Sequence, residues 1–69
     1  MTGIGIVEAR RRAGVGQREL ALALGTSPQR LSDIERGYTP VPDGFTARVR
    51  GALVGILRGR LDALVGGGG

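Results

Sequence analysis

The stretch LALALGTSPQRLSDIERG, residues Leu20 to Gly37, consists of two short apolar-striped segments joined by Gly-Thr-Ser. Gly25 is able to take a positive φ at a helix C-terminus, which lets the chain turn sharply there. Ser27 is a good N-cap, and Pro28 suits the first helical position because its missing N–H is not needed there. The stretch therefore predicts two helices, over about 17–24 and 28–36, that are bent sharply against each other.

The second of these two helices has chemically distinct sides. Its periodicity predicts that Leu31 and Ile34 face inward, whereas Gln29 and Asp33 point almost directly away. The exposed side is therefore short, polar and rich in hydrogen-bonding groups. A helix of this kind, held out by the helix before it, suits the width and the chemistry of the DNA major groove.

Helical patterns continue on both sides of this pair, and no segment shows the alternation typical of a β-strand. Thr2 is expected to cap a first helix over about 4–13 that is ended by Gly14. After the loop GYTPVPDG, Asp43 is expected to cap a fourth helix that starts near Gly44. Its inner side is predicted to hold Phe45, Val49, Leu53, Ile56 and Leu57.

The C-terminal part of the chain is expected to depart from one straight helix. Arg60 would fall in the middle of the apolar stripe, so we expect a break near Gly59 and a short fifth helix over 60–65. The predicted fold is all-α, a compact bundle of four to five helices that contains a helix-turn-helix. It forms one domain over 1–65, and the glycines at 66–69 are expected to be a flexible tail.

The composition narrows the function classes. The chain of 69 residues contains no Cys and no His, which excludes disulfides, thiolate metal sites, common zinc sites and acid–base catalysis by His. We therefore expect no enzyme, no cofactor and no metal. Ten basic residues, all of them Arg, face six acidic ones, for a net charge of +4 at pH 7. This balance favours a polyanionic partner, because guanidinium groups suit phosphate and guanine.

The termini bear on where the protein acts. The N-terminal segment has its charges after a very short apolar run, the reverse of a signal peptide. The apolar C-terminal stretch is interrupted by Arg58, Arg60 and Asp62, so it is not expected to span a membrane. We expect a cytoplasmic, nucleoid-associated protein without a membrane partner.

The run RRRAGVGQRELALALGTSPQRLSDIERG resembles the Cro/repressor-type (XRE-like) helix-turn-helix family of phage and bacterial regulators. The resemblance covers roughly 6–53. Its motifs are an Arg seven residues before a Gln, Gln-x-x-Leu-Ala, a Gly at the turn, and Ile-Glu-x-Gly at the end of the recognition helix. It implies a lambda-repressor-like fold and a sequence-specific regulator of transcription that occupies an operator in double-stranded DNA.

The resemblance also implies roles for individual residues. Arg10 is expected to pair with Glu35, which would tie the first helix to the end of the third. Contacts with base edges are implied for Ser27, Pro28, Gln29, Ser32 and Asp33. Contacts with DNA phosphates are implied for Gln17, Arg30, Arg36, Tyr38 and Thr39. Gly16 departs from the family, which usually has Ser or Thr at this cap.

Small residues recur at every fourth position of the fourth helix, in the pattern AxxxGxxxGxxxGxxxA from Ala47 to Ala63. Such spacing lets two helices approach closely. Packing inside the monomer, codon bias and contact between two copies remain open as explanations. We expect a homodimer on a palindromic operator, because one recognition helix reads few bases. Its candidate surface comprises Gly51, Gly55, Leu57, Gly59, Leu61 and Leu64.

Other functions remain open beside the Cro/repressor interpretation. An antitoxin would bind a toxin protein through exposed Leu22 and the apolar C-terminus, and would also bind its own promoter. An architectural protein would bend DNA with little dependence on base identity. A catalytic protein ranks last, because the chain has no coherent acid–base or nucleophilic set. RNA polymerase is a further candidate partner.

Overall fold

The computed structural model describes residues 2–66, which form four helices and no strand: α1 (Gly3–Arg12), α2 (Gln17–Leu24), α3 (Pro28–Arg36) and α4 (Phe45–Gly66). The all-α prediction is confirmed. The bounds of α2 and α3 are those predicted, and α1 begins and ends one residue earlier than predicted. Of the predicted glycine tail, Gly66 is the last residue of α4, and 67–69 lie outside the described residues.

Local hydrogen bonds and one glycine fix the helix-turn-helix and the start of α1. The hydroxyl of Thr2 accepts a hydrogen bond from the N–H of Gly5 (3.2 Å), and the hydroxyl of Ser27 accepts one from the N–H of Arg30 (3.1 Å). Gly25 ends α2 at φ 72°, in the left-handed region. Because glycine reaches this region without steric cost, the turn from α2 into α3 is tight.

One aliphatic core joins the four helices. α1 contributes Ile6, α2 contributes Leu20, and both side chains are fully buried. Val15 is also buried, although it lies in the turn between α1 and α2, where helical periodicity gives no signal. The complete buried core comprises Ile6, Val15, Leu20, Ala21, Leu24, Leu31, Ile34, Phe45, Val49 and Leu53.

The predicted break near Gly59 and the separate fifth helix are wrong, because α4 is one helix of 22 residues. Arg60 fits on its inner side since the guanidinium reaches polar partners at the turn between α1 and α2. Nη1 donates to the carbonyl of Gly14 (3.1 Å), and Nη2 donates to the carboxylate of Glu19 (2.5 Å). An arginine at this position therefore does not require the helix to end.

The second half of α4 extends past the core. Leu53 is the last buried residue of the helix, and none of residues 54–66 is buried. Leu57, predicted to face inward, is instead 42% exposed. The overhang makes the molecule elongated, with extents of 45 × 19 × 18 Å.

The start of α4 also differs from the prediction. The helix begins at Phe45, and the carbonyl of Gly44 accepts a hydrogen bond from the N–H of Arg48 (3.2 Å). Within residues 2–66, the side chain of Asp43 forms no hydrogen bond with the first turn of α4. Gly44 therefore takes the capping position, and Asp43 does not.

Candidate nucleic-acid interface

The exposed side of α3 is polar, and its opposite side is fixed to the core. Leu31 and Ile34 are buried. Gln29 is exposed on the outer side, and Ser32 and Asp33 are half-buried. Because the apolar side chains fix the rotation of the helix, the polar side chains point to solvent in a defined direction. This is the placement that the sequence predicts.

Gln29 and Asp33 are neighbours on this side, one helical turn apart. The Nε2 of Gln29 donates to Oδ1 of Asp33 at 3.0 Å. The bond leaves Gln29 with one Nε2 hydrogen and its Oε1 acceptor. These are the donor and the acceptor that a bidentate contact with adenine requires. The pair therefore orients the amide without using up its capacity to bind a base.

A buried network around Glu35 sets the position of α3 against the two preceding helices. The side chain of Glu35 is 4% exposed and accepts hydrogen bonds from Nε (2.9 Å) and Nη2 (3.2 Å) of Arg10. It also accepts one from Nε2 of Gln17 (2.8 Å). The remaining terminal nitrogen of Arg10 donates to the carbonyl of Val15 (3.2 Å). One carboxylate thus links α1, α2 and α3 through charge-assisted hydrogen bonds.

The network reduces the number of hydrogen-bond donors that the Gln17 side chain has available for a phosphate. Its Nε2 donates one hydrogen to Glu35, so only the second amide hydrogen remains for a hydrogen bond with a phosphate. The preceding residue, Gly16, provides no side-chain cap for α2. The first-turn N–H groups of α2 therefore have no capping side chain, and they are the main donors that this end of the helix presents to an anion.

The other end of α3 brings three candidate phosphate contacts together. The N–H groups of Tyr38 and Thr39 both donate to the carbonyl of Asp33, at 2.9 and 3.2 Å. These bonds fold the chain back at the end of α3. Arg36 and Tyr38 are exposed, and Thr39 is half-buried. The candidate phosphate contacts therefore form separate groups at the two ends of α3, because Arg30 lies in its first turn.

A second arginine lies beside Arg30, and sequence reasoning missed it. An open groove of about 270 Å³ is lined by Leu24, Gly25, Thr26, Arg30, Pro42, Phe45 and Arg48. Nη2 of Arg48 donates to the carbonyl of Leu24 at 2.7 Å, which holds its guanidinium at the end of α2. The groove lining contains two arginines and no carboxylate. Nothing in the sequence near Arg48 signals this role, since all its neighbours in the groove except Phe45 come from outside α4.

α2 and α3, joined by the tight turn at Gly25 and followed by a supporting helix, have the geometry of a helix-turn-helix. A helix-turn-helix family model matches residues 6–47, which is well over half of the chain. The chain belongs to the Cro/repressor-type helix-turn-helix family. Members of this family are DNA-binding regulators, and in this helix-turn-helix protein α3 is the second helix of the motif. Comparisons with curated proteins and with solved structures gave no match.

The candidate dimer surface of this helix-turn-helix protein divides between two sides of α4. Gly55 and Leu57 are two residues apart, which separates them by about 200° around a helix. One side holds Gly51, Gly55 and Gly59, and the other holds Leu57, Leu61 and Leu64. A Cβ added at any of the three glycines would meet no atom within 4 Å. Close packing of these glycines inside the monomer is therefore wrong as an explanation.

The lengths and the apolar character of the helices bear on membrane association. Among residues 2–66, no helix combines the length and the apolar character that crossing a bilayer requires.

Proposed function

We propose that this protein is a sequence-specific transcriptional regulator of the phage Cro or repressor kind, which binds a palindromic operator as a homodimer and acts by occupying it. The observation that supports this proposal is the polar side of α3 at Gln29, Ser32 and Asp33. Its helix is anchored by buried apolar residues and oriented by the Arg10–Glu35 ion pair. A helix held in this way reaches base edges without reorganising, which favours specific binding.

The base contacts follow from the donors and acceptors that remain available. Gln29 suits the donor–acceptor edge of adenine, and Asp33 accepts from the amino group of cytosine through its second oxygen. The Ser32 hydroxyl matches either a donor or an acceptor. Ser27 already accepts a hydrogen bond from its own helix, so its hydroxyl hydrogen is what it offers to a base. Pro28 has only apolar atoms and fits a thymine methyl group.

Phosphate contacts would flank the recognition helix on both sides. At one end, the uncapped first turn of α2 and the remaining amide hydrogen of Gln17 donate to a phosphate oxygen. At the other end of α2, Arg30 and Arg48 share a groove without an acidic residue. Arg36, Tyr38 and Thr39 supply the third group. The net charge of +4 adds a long-range attraction to the duplex.

A homodimer is part of the proposal because a single α3 contacts few base pairs. Two copies related by a two-fold axis read two half-sites about one helical turn apart. The regulator would need no cofactor and no catalytic group, since occupancy of the operator by itself excludes polymerase. It would act in the cytoplasm, associated with the nucleoid.

The test is selection from random duplexes by the full chain, followed by sequencing of the bound DNA. We expect a two-fold symmetric motif whose half-sites contain adenine at the position read by Gln29. Gln29→Ala should lose the preference for that base pair, and Glu8→Ala, a change at an exposed residue of α1, should keep it. Enrichment without any motif would contradict sequence-specific regulation.

A second candidate function is an antitoxin that binds a toxin protein and its own promoter. Leu22 on α2 is 71% exposed, and its place on the outer side of the DNA-binding helix pair favours a protein contact there. Leu22→Asp would then abolish co-purification with a co-expressed toxin and leave DNA binding intact. A complex that persists in Leu22→Asp would exclude Leu22 as the contact, and a wild-type protein that binds no co-expressed toxin would remove this candidate.

A further inference from the structure

The side chain of Arg60 reaches from the overhang of α4 to the start of α2. Its guanidinium donates to the carbonyl of Gly14 (3.1 Å) and to the carboxylate of Glu19 (2.5 Å). The side chains of this ion pair are 44% and 43% exposed, so the pair lies at the surface. Because exposed ion pairs add little to stability, the main effect of this pair is expected to be the position in which it holds the carboxylate.

Glu19 occupies a position from which a carboxylate commonly turns back on its own helix. It is the acidic residue in the first turn of α2, three residues after the N-cap residue Gly16. In a capping box, a glutamate at this position accepts a hydrogen bond from the N–H of the N-cap residue. Here the carboxylate is bonded to Arg60 instead. Within residues 2–66, the N-terminal N–H groups of α2 therefore have no side-chain acceptor.

A carboxylate that turned back would compete with DNA. In the proposed function, the first turn of α2 and the amide of Gln17 donate to a phosphate. The Glu19 carboxylate would use one of these N–H donors, and it would repel the phosphate because both groups are anionic. The ion pair prevents this competition, since it holds the carboxylate toward α4 and neutralises its charge.

Removal of Arg60 would leave the Glu19 carboxylate free to turn back. Among the described residues 2–66, Arg60 is the cation that pairs with Glu19. Both terminal nitrogens of the guanidinium are engaged inside the protein, Nη1 by Gly14 and Nη2 by Glu19. Arg60 is thus expected to act on DNA binding through Glu19 rather than through a phosphate contact of its own.

We propose that Arg60 is a positioning residue for DNA binding, which holds the carboxylate of Glu19 away from the N-terminus of α2 and leaves the N–H groups there available to a DNA phosphate. This inference rests on the phosphate contact at α2 in the proposed function. It requires neither a dimer nor a particular operator, because a phosphate contact carries no base sequence information.

The test measures the affinity of the full chain for a duplex of mixed sequence at fixed salt concentration, by fluorescence anisotropy. Arg60→Ala should bind about five-fold more weakly than Arg58→Ala. Both variants lose one positive charge from the overhang of α4, and only Arg60→Ala frees the carboxylate of Glu19. Arg60→Lys keeps a cation for Glu19 and should bind within about two-fold of the wild type.

Two double variants separate the position of the carboxylate from the net charge. Arg60→Ala/Glu19→Ala and Arg60→Ala/Glu8→Ala both have the net charge of the wild type, +4. The first removes the freed carboxylate and should bind within about two-fold of the wild type. The second removes an exposed carboxylate of α1, leaves Glu19 unpaired, and should stay about five-fold weaker.

Equal affinities of the two double variants would overturn the proposal, because the position of the carboxylate would then have no effect. Weak binding by Arg60→Ala/Glu19→Ala would assign the effect to the bond with Gly14 instead. A fall of about 0.9 in the salt slope of Arg60→Ala would show that Arg60 itself contacts a phosphate. Should Arg60→Ala not fold in a urea titration, Arg60→Gln replaces it throughout, since glutamine keeps a donor for Gly14 and has no charge for Glu19.

A second measurement needs no DNA. In Arg60→Ala, the amide proton resonance of Gly16 should move downfield, because the freed carboxylate accepts its hydrogen bond. The move should be absent in Arg60→Ala/Glu19→Ala. A Gly16 resonance that stays in place in Arg60→Ala would contradict the proposal.

The failure of this inference and that of the proposed function give different results. Selection of no motif from random duplexes contradicts the sequence-specific regulator and leaves the role of Arg60 standing, since that role is measured on a duplex of mixed sequence. Selection of a symmetric motif, together with equal affinities of the two double variants, contradicts the role of Arg60 alone.

Discussion

Gln29 and Asp33 are hydrogen bonded to each other on the exposed side of α3, with 3.0 Å between Nε2 and Oδ1. The two residues proposed to read neighbouring bases are therefore one unit. Since the bond orients the Gln29 amide before DNA arrives, part of the conformational cost of a bidentate contact is already met in the free protein.

This coupling predicts that Asp33→Ala reduces discrimination at the base pair read by Gln29 as well as at its own. Each lost contact should reduce discrimination by about 1–3 kcal/mol. The sum of the two single effects should differ from the effect of Gln29→Ala/Asp33→Ala by at least about 0.5 kcal/mol. Competition binding with the selected operator and its single-base variants measures both quantities. Strictly additive effects would show that the two residues act independently.

The network around Glu35 predicts a loss of stability without a change in base preference. Glu35→Ala strands the charge of Arg10 and removes the acceptor of Gln17. We expect the free energy of unfolding to fall by about 3–5 kcal/mol, which in a 69-residue domain is a large part of the total. Urea unfolding measures it. Glu8→Ala, also the loss of a carboxylate, should change stability by less than about 0.5 kcal/mol.

The phosphate contacts predict a uniform loss of affinity. Arg30→Ala and Arg36→Ala should each weaken binding to all duplexes by a similar factor. Each should also reduce the slope of log affinity against log salt concentration by about 0.9. Arg58→Ala, which removes the same charge from the overhang of α4, should leave the slope nearly unchanged. A change in the selected motif on replacing Arg36 would assign that residue to base contacts instead.

Two glycines of this chain should respond to alanine in opposite directions. At Gly3, an added Cβ would collide with the carbonyl oxygens of Ile34 and Glu35, the latter at 2.8 Å. Gly3→Ala should therefore push α1 from the end of α3 and lower the free energy of unfolding by about 1–3 kcal/mol. Gly51 has open space around it, and Gly51→Ala should raise stability by up to about 1 kcal/mol through helix propensity. Thermal unfolding of both variants at equal concentration checks the pair.

The elements around the turn could be predicted from the sequence because their signals are local. Ser27, Pro28 and Gly25 act within one or two turns of the helix end they define, and the sequence alone places α2 and α3 at their observed bounds. The polar side of α3 follows from the same periodicity. The pairing of Gln29 with Asp33 spans four residues, yet which of several rotamers each side chain adopts is not encoded in the spacing.

The differences arise where a residue meets a partner far along the chain. In the sequence, Arg60 interrupts an apolar stripe. In the structure, it bonds to Gly14 and Glu19, which lie 46 and 41 residues earlier in the chain. Arg48 likewise meets the carbonyl of Leu24, 24 residues earlier. Gln17 shares its amide with Glu35 only because α2 and α3 cross there. These contacts depend on how the helices pack, and local propensity carries no information on that packing.

Arg60 also bears on the spacing of operator half-sites that a dimer would accept. Its guanidinium braces α4 against the turn between α1 and α2 through Gly14 and Glu19, so α4 is not a loose tether swinging from Gly44. In a dimer of the kind proposed above, each protomer would therefore present its α3 at a fixed position relative to its α4. Inserting one base pair between the half-sites should then weaken binding of the dimer, since these contacts resist the change in helix separation that the added rise and rotation of the duplex require.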